Sequence, residues 1–233
     1  MTSVTWHDLE CGGYVEDLPL WQELAEERPT GPILDVGAGT GRVTLELARA
    51  GHEVVALDVD EELLAELTKR AEGLPVRTVV GDARDFELGE RFSLVLAPMQ
   101  TVQLLEGRHA DFVRCAAAHL APGGLVAAAI ADLTPYEGEF QPMPDMGERE
   151  GWVFSSQPLA IRARDDGMAI ERLREIVSPA GVRTSAVDVV VLAPTQPDEL
   201  EAAGRAAGLR VLPRREAPET DYYVGSTVVV LGA

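Results

Sequence analysis

Apolar residues gather along this chain in short runs separated by amphipathic stretches, and from Pro32 to about Asp132 the two kinds alternate. PILDV (from Pro32), EVVALD (Glu53–Asp58), VRTVVGD (Val76–Asp82), FSLVLAP (Phe92–Pro98) and LVAAAIAD (from Leu125) are brief and mostly continuous in their apolar character, which predicts five buried strands. The stretches between them follow helical spacing. RVTLELARAG sets Val43, Leu45, Leu47 and Ala48 on its apolar side and ends at Gly51, where a helix C-cap glycine belongs. Asp60 is placed to cap a second helix, in which Leu63, Leu64, Leu67 and Ala71 recur before Gly73. A third, around Asp111–Leu120, aligns Phe112, Cys115, Ala116 and His119 and is broken by Pro122-Gly123-Gly124. Strands apolar on both faces and alternating with helices predict a parallel sheet covered on both sides.

The tail returns to this pattern, with a helix over Pro197–Gly208 followed by the strand-like LRVLP and GSTVVVLGA. Leu133–Glu150, rich in Pro, Gly and Met, reads as a loop. Trp152–Ala163, Met168–Ser178 and Arg183–Leu192 are divided by the turn signals DDG and SPAG and read as three inserted antiparallel strands. The middle one also fits a helix through Ile170, Leu173, Ile176 and Val177. Near the start, Asp17 is placed to cap and Pro19 to begin a short helix. The expected organisation is an N-terminal segment over 1–30, a core over 31–132 and 193–233, and an insertion over 133–192.

Composition narrows the function. The chain has 233 residues and a net charge of −19, which repels phosphate backbones and anionic lipid, so neither nucleic acid nor a membrane surface is the expected partner. It has no apolar run of about 18 residues and no basic-then-apolar leader, which makes the cytoplasm the expected location. Cys11 and Cys115 lie far apart and no histidines show ligand spacing, so neither a disulfide framework nor a metal is expected. Oligomeric state is not written in any pattern here.

The chemistry concentrates in ILDVGAGTGR (Ile33–Arg42). Glycines between a strand and a helix allow a ligand close to the backbone, beside the free N–H groups of the helix start. A dinucleotide fingerprint, G-x-G-x-x-G, would place its third glycine at position 42, but Arg42 stands there and Gly41 comes one residue early. A triphosphate loop would need Gly-Lys-Ser/Thr, which is absent. Asp35, Gly37, Gly39 and Gly41 instead resemble the acidic-G-x-G-x-G motif of the class I S-adenosylmethionine-dependent methyltransferases. Asp58 at the end of the second strand, Asp82 after the third and LAPGG (Leu120–Gly124) before the fifth fall at that family's spacing.

The resemblance implies a Rossmann-like, seven-stranded, mostly parallel sheet with helices on both faces, the last strand antiparallel beside the fifth, interrupted here by the antiparallel β segment. It implies S-adenosyl-L-methionine as cofactor, S-adenosyl-L-homocysteine as product and methyl transfer by in-line displacement. It assigns backbone contacts to Gly37, Ala38 and Gly39, ribose binding to Asp58, adenine contacts to Val59, Asp82 and Ala83, and methionine-end contacts to the region of Pro98. Asp35 belongs to the same set. Tyr14 is the candidate from an N-terminal lid, and Gln100 and Gln103 are candidate amides beside the sulfonium.

Such enzymes share no catalytic side chain, so none is assigned; His7 is a candidate base with a surface cap as its alternative. Ala97-Pro98-Met99-Gln100 replaces the Asn/Asp-Pro-Pro-Tyr of members that methylate exocyclic base nitrogens. The expected acceptor is an O or N atom of a small molecule. The insertion, with Tyr136, Phe140, Met143, Met146 and Trp152, is the expected roof over it. A non-catalytic adenosylmethionine-binding module and a nicotinamide-dependent dehydrogenase stand as alternatives.

Overall fold

A computed structural model describes residues 2–27, 31–135 and 143–233, and these divide into two compact units. The larger comprises Val15–Asp132 with Thr195–Ala233, and the smaller Met1–Tyr14 with Leu133–Pro194.

The larger unit is built on β1 (Ile33–Val36), β2 (Val54–Asp58), β3 (Val76–Val80), β4 (Phe92–Ala97), β5 (Leu120–Ala131), β10 (Arg210–Val211), β11 (Arg215–Ala217) and β12 (Ser226–Gly232). The sheet order is β10-β12-β5-β4-β1-β2-β3, with the short β11 also paired to β12. Strands β1 to β5 are parallel, and β12 runs antiparallel beside β5 from Ser226 opposite Ala131 to Gly232 opposite Leu125. The seven expected strands are present, and β11 is an eighth that its three residues were too few to announce.

Helices α2 (Leu18–Glu26), α3 (Arg42–Arg49), α4 (Glu61–Arg70), α5 (His109–Ala118) and α6 (Pro197–Ala206) cover the sheet. The continuous apolar runs have a direct physical cause, because alternate residues of one strand enter different cores. Leu34, Val95, Val126 and Val229 pack with Phe112 of α5 and Leu200 of α6. Their neighbours Ile33, Leu94, Leu125 and Val228 pack with Trp21 of α2 and Leu47 of α3. Leu64 and Leu67 of α4 join Ala38 and Leu45 in a third cluster.

The smaller unit is an antiparallel sheet, β6 (Asp145–Arg149), β7 (Trp152–Arg164), β8 (Gly167–Val177) and β9 (Arg183–Leu192), in that order, with α1 (Thr2–Cys11) packed on it. Trp6 of α1 meets Phe154 edge to face at 5.3 Å. Among the described residues the insertion thus has four strands where the sequence suggested three, because Asp145–Arg149 pairs with β7 instead of forming a loop. The segment that also fitted a helix is β8, paired along its whole length to β7 and β9. Met143, Met146 and Trp152 are exposed, while Tyr136 and Phe140 lie outside the described residues. No described helix is long and apolar enough to cross a membrane.

Candidate active site

The site of the larger unit lies where β1 leaves the sheet, at the point where the strand order reverses between β4 and β2. Open parallel sheets bind ligands at such carboxyl-end crevices. Gly37, Gly39 and Gly41 all have left-handed backbone, with φ of +73°, +56° and +95°. A Cβ on Gly37 would come within 2.6 Å of the Thr101 side chain, and one on Gly41 within 2.2 Å of Leu67. Gly41 therefore brings α4 against the turn, the packing task of the third glycine in a dinucleotide fingerprint, but one residue earlier.

Arg42 serves another partner. Its guanidinium grips the carboxylate of Asp17 through both oxygens, and Trp21 Nε1 donates to Asp17 Oδ2 at 2.8 Å. Asp17 is 1% exposed. It occupies the N-cap position of α2, but its side chain makes no capping bond, which corrects the sequence expectation. Its carboxylate ties the start of α2 to the start of α3.

Four N–H groups of the glycine turn are spent inside the fold. Gly37 and Ala38 donate to Leu57 O at 2.8 and 3.2 Å, Gly39 donates to Asp58 Oδ2 at 2.8 Å, and Gly41 donates to Ala38 O at 2.9 Å. A pyrophosphate requires such amides to be available, so this turn does not suit one. Asp58, the last residue of β2, also accepts the Asp60 N–H at Oδ1 (2.9 Å). A carboxylate offers about four lone-pair positions, so each oxygen keeps one for a ribose hydroxyl. Asp60 in turn accepts from Glu62 and Leu63, capping α4 as its sequence implied.

Asp35 is the buried carboxylate of the site. It is 1% exposed, Thr44 Oγ1 donates to its Oδ2 at 2.6 Å, and its Oδ1 is buried with no hydrogen-bond partner among the described residues. Burial pushes its carboxyl up to about 6, against the Thr44 hydroxyl and the Arg42 charge, and the Asp58 charge pushes the same way as burial. A buried carboxylate oxygen without a partner favours a donor or a cation as its complement. A cationic ligand fits this pair of acidic strand ends, and a phosphate does not.

Asp82 follows β3, and its carboxylate is held by Arg84, whose Nε and Nη2 donate to Oδ1 and Oδ2 at 2.9 and 2.8 Å. Arg84 holds the Asp82 carboxyl below the usual carboxylate range through these side-chain bonds and its backbone N–H. Any adenine contact would share that carboxylate with Arg84, a partner the sequence reading missed although it stands two residues away. Ala83 is buried beside it. Val59, 74% exposed, borders an open depression with Asp60, Glu61, Glu62 and Ala65.

Beyond β4, Met99 has left-handed backbone (φ +54°) and Thr101–Leu105 forms a 3-10 turn, with Thr101 Oγ1 donating to Pro98 O at 2.9 Å. Gln100 is half-buried at its start. Gln103 is buried, and its amide is closed on β5: Nε2 donates to Ala131 O at 3.1 Å and Oε1 accepts the Ala131 N–H at 2.9 Å. Gln103 is therefore a clamp between elements and not an orienting amide. Tyr14, buried, and His7 both belong to the smaller unit. The larger unit thus brings Asp35, Gly37, Ala38, Gly39, Asp58, Val59, Asp82, Ala83, Pro98 and Gln100 to the carboxyl ends of four neighbouring strands.

Comparison with known proteins agrees with this geometry. A family profile described as a methyltransferase domain matches residues 33–124. The dTDP-3-amino-3,4,6-trideoxy-alpha-D-glucopyranose N,N-dimethyltransferase of Streptomyces venezuelae is 30% identical over 183 residues, 77% of this chain and 75% of that protein. The dimethyladenosine transferase of Saccharomyces cerevisiae is 40% identical over 96 residues, 38% of this chain and 30% of that protein. The chain spans less than half the length of the first curated relatives it matches. Among solved structures, CalS10, an amino pentose methyltransferase from Micromonospora echinaspora, superposes with a TM-score of 0.78 at 23% identity, covering 100% of this chain and 96% of that one. With the glycine turn, the acidic strand ends and a relative matched over three quarters of its length, the chain belongs to the S-adenosylmethionine-dependent methyltransferases of class I.

Proposed function

We propose that this protein methylates an amine nitrogen of a small molecule, with S-adenosyl-L-methionine as donor and S-adenosyl-L-homocysteine as product. The observation that carries the donor is the pair of carboxylates, Asp35 and Asp58, beside a glycine turn whose amides are already engaged. When bound, the cofactor supplies a methyl group made electrophilic by its sulfonium. The residues that would hold it are Asp58 for the ribose, Val59, Asp82 and Ala83 for the adenine, and Asp35 with Gly37, Ala38 and Gly39 for the methionyl portion. Pro98 and Gln100 belong to the reacting end. Tyr14 enters this set through the family resemblance alone.

The chain's own work is to orient and to exclude water, because a sulfonium needs no further activation. The acceptor nitrogen must reach the site without its proton. No histidine or cysteine of the larger unit is assigned to take that proton. His119, the buried histidine there, is occupied, with Nδ1 2.8 Å from Cys115 O and Nε2 accepting the Leu88 N–H at 3.0 Å.

The acceptor reading rests on the Streptomyces venezuelae relative, whose match extends through most of the chain and whose name specifies an amino sugar nucleotide. The segment shared with the dimethyladenosine transferase is shorter, and a chain of net charge −19 is poorly suited to a ribosomal RNA. Incubation with radiolabelled S-adenosylmethionine and either dTDP-3-amino-3,4,6-trideoxy-alpha-D-glucopyranose or ribosomal RNA separates the two. Label in the sugar nucleotide supports the proposal. Label in the RNA replaces it with base methylation, and label in neither, with the cofactor still bound, points to a non-catalytic binding module.

A further inference from the structure

Strand β12 begins at the catalytic rim of the larger unit, because Ser226 pairs with Ala131, the last residue of β5. Strand β11 ends at the same level, Ala217 opposite Ser226. The connection Pro218–Gly225 therefore emerges where the parallel strands point their carboxyl ends, on the side of β5 away from β4. With adenosine assigned to the ends of β2 and β3, the reacting end lies toward β4. Within the larger unit, the ground beyond it is bordered by the end of β5 and by this connection. Ala97, the last residue of β4, pairs with Ala128, three residues before the Ala131 that faces Ser226. At about 4.8 Å per strand and 3.3 Å per residue the start of β12 is roughly 14 Å from the end of β4, within the span of a sugar nucleotide.

The connection is an ordered turn. Thr220 N–H donates to Tyr223 O at 2.9 Å, and the N–H groups of Tyr222 and Tyr223 both donate to Thr220 Oγ1, at 3.2 and 2.9 Å. A Cβ on Gly225 would stand 3.0 Å from Ala217 O and from Glu219 N, so the turn closes tightly on itself. Its tip presents Asp221, exposed, and Tyr222, 72% exposed. Asp132, exposed, follows the end of β5 on the same rim. A large aromatic ring held in solvent on a fixed turn offers a π face on which the far end of an acceptor can stack while its amine sits toward β4.

We infer that Tyr222 is a specificity-determining residue that contacts the acceptor, its ring stacking on the end remote from the amine. This rests on the amine-methylation reading above. The probe is dTDP-3-amino-3,4,6-trideoxy-alpha-D-glucopyranose, titrated calorimetrically into protein saturated with S-adenosylhomocysteine. The expected result is binding weakened about fivefold or more in Tyr222→Ala and nearly unchanged in Tyr222→Phe, which keeps the stacking ring. The affinity for S-adenosylhomocysteine stays within about twofold of wild type in both, since the residue lies outside the cofactor assignments. Tyr222 is exposed, so its replacement leaves the core untouched, and circular dichroism of each variant checks this. Equal probe binding by Tyr222→Ala and wild type overturns the assignment. Probe binding that depends on Tyr222 without methyl transfer leaves the assignment standing and overturns the transfer reading, and wild type that fails to bind the probe overturns both.

Discussion

Asp35 gives the site a pH signature that can be measured. Its carboxyl is raised to about 6 in the folded protein, so between roughly pH 4 and 6 the native state holds a proton that the unfolded chain has lost. The sign follows from linkage: as pH rises through this window the group contributes less to stability, by about 3 kcal/mol in all. Asp35→Asn removes that loss. Its melting temperature, compared with wild type, is expected to rise from pH 4 to pH 7, and a difference constant with pH would contradict this assignment of the buried charge. In wild type, affinity for S-adenosylhomocysteine is expected to increase as Asp35 ionises, because the ammonium of that product would compensate the buried charge, and in Asp35→Asn this increase disappears.

Two other residues show why the sequence could not disclose everything at this scale. Asp17 reads as a helix cap and Gln103 as an orienting amide beside the sulfonium, yet their partners Arg42 and Ala131 are 25 and 28 residues away. Nothing local marks either contact. Gln103→Leu leaves the N–H and C=O of Ala131 unpaired in a buried position and is expected to cost about 2–4 kcal/mol in urea denaturation. The same variant retains cofactor affinity if Gln103 is the clamp described; a selective loss of affinity at full stability would restore it to the sulfonium.

At the scale of elements, glycines with similar backbone carry different burdens. Gly41 and Gly51 have φ of +95° and +97°, but a Cβ on Gly41 meets Leu67 of α4 whereas one on Gly51 meets nothing within 4 Å. Gly51→Ala should cost about 1 kcal/mol, the backbone strain alone. Gly41→Ala adds overpacking and should cost roughly 2–4 kcal/mol. Chemical denaturation of the two variants compares them directly, and equal losses would mean that α4 is not seated on the turn. Strands buried on both faces were legible because their apolar runs are continuous, and α3 and α4 because their apolar residues recur on one side. By contrast, α1 has no continuous apolar stripe, and β6 is a five-residue edge strand, DMGER, whose pairing with β7 has no counterpart in its composition. In β8 the apolar residues fall by chance at helical spacing, and pairing on both sides decides the matter.

At the scale of the whole molecule, the two units are held by different physics. The larger is a two-sided apolar core around its sheet, and the smaller joins α1 to its strands through charge. Arg174 donates to both oxygens of Glu10 at 2.7 and 2.6 Å and lies over the Trp6 ring, while Ser156 Oγ donates to Glu10 at 2.7 Å. Arg172 joins Ser156 and Asp145 at 2.9 and 2.6 Å. Burial pushes the Glu10 carboxyl up, but the bonds from Arg174 and Ser156 and the nearby Arg172 charge outweigh it and hold it below its ordinary value. Here the linkage sign is opposite to that of Asp35: the contribution is present above the ordinary glutamate range and is lost as pH falls through the depressed value. Glu10→Gln is expected to flatten the acid side of the stability profile, and an unchanged acid limb would exclude Glu10 as its source.

The account as a whole depends on carboxylates, not on a phosphate-binding nest, at the ends of β1 and β2. Calorimetric titration of S-adenosylhomocysteine into wild type and Asp58→Ala tests it most directly. Wild type is expected to bind, and the variant to bind at least about tenfold more weakly, the loss of charge-assisted hydrogen bonds to the ribose. Equal affinity in the two proteins, or a wild type that binds NADH and ignores S-adenosylhomocysteine, would contradict the central claim.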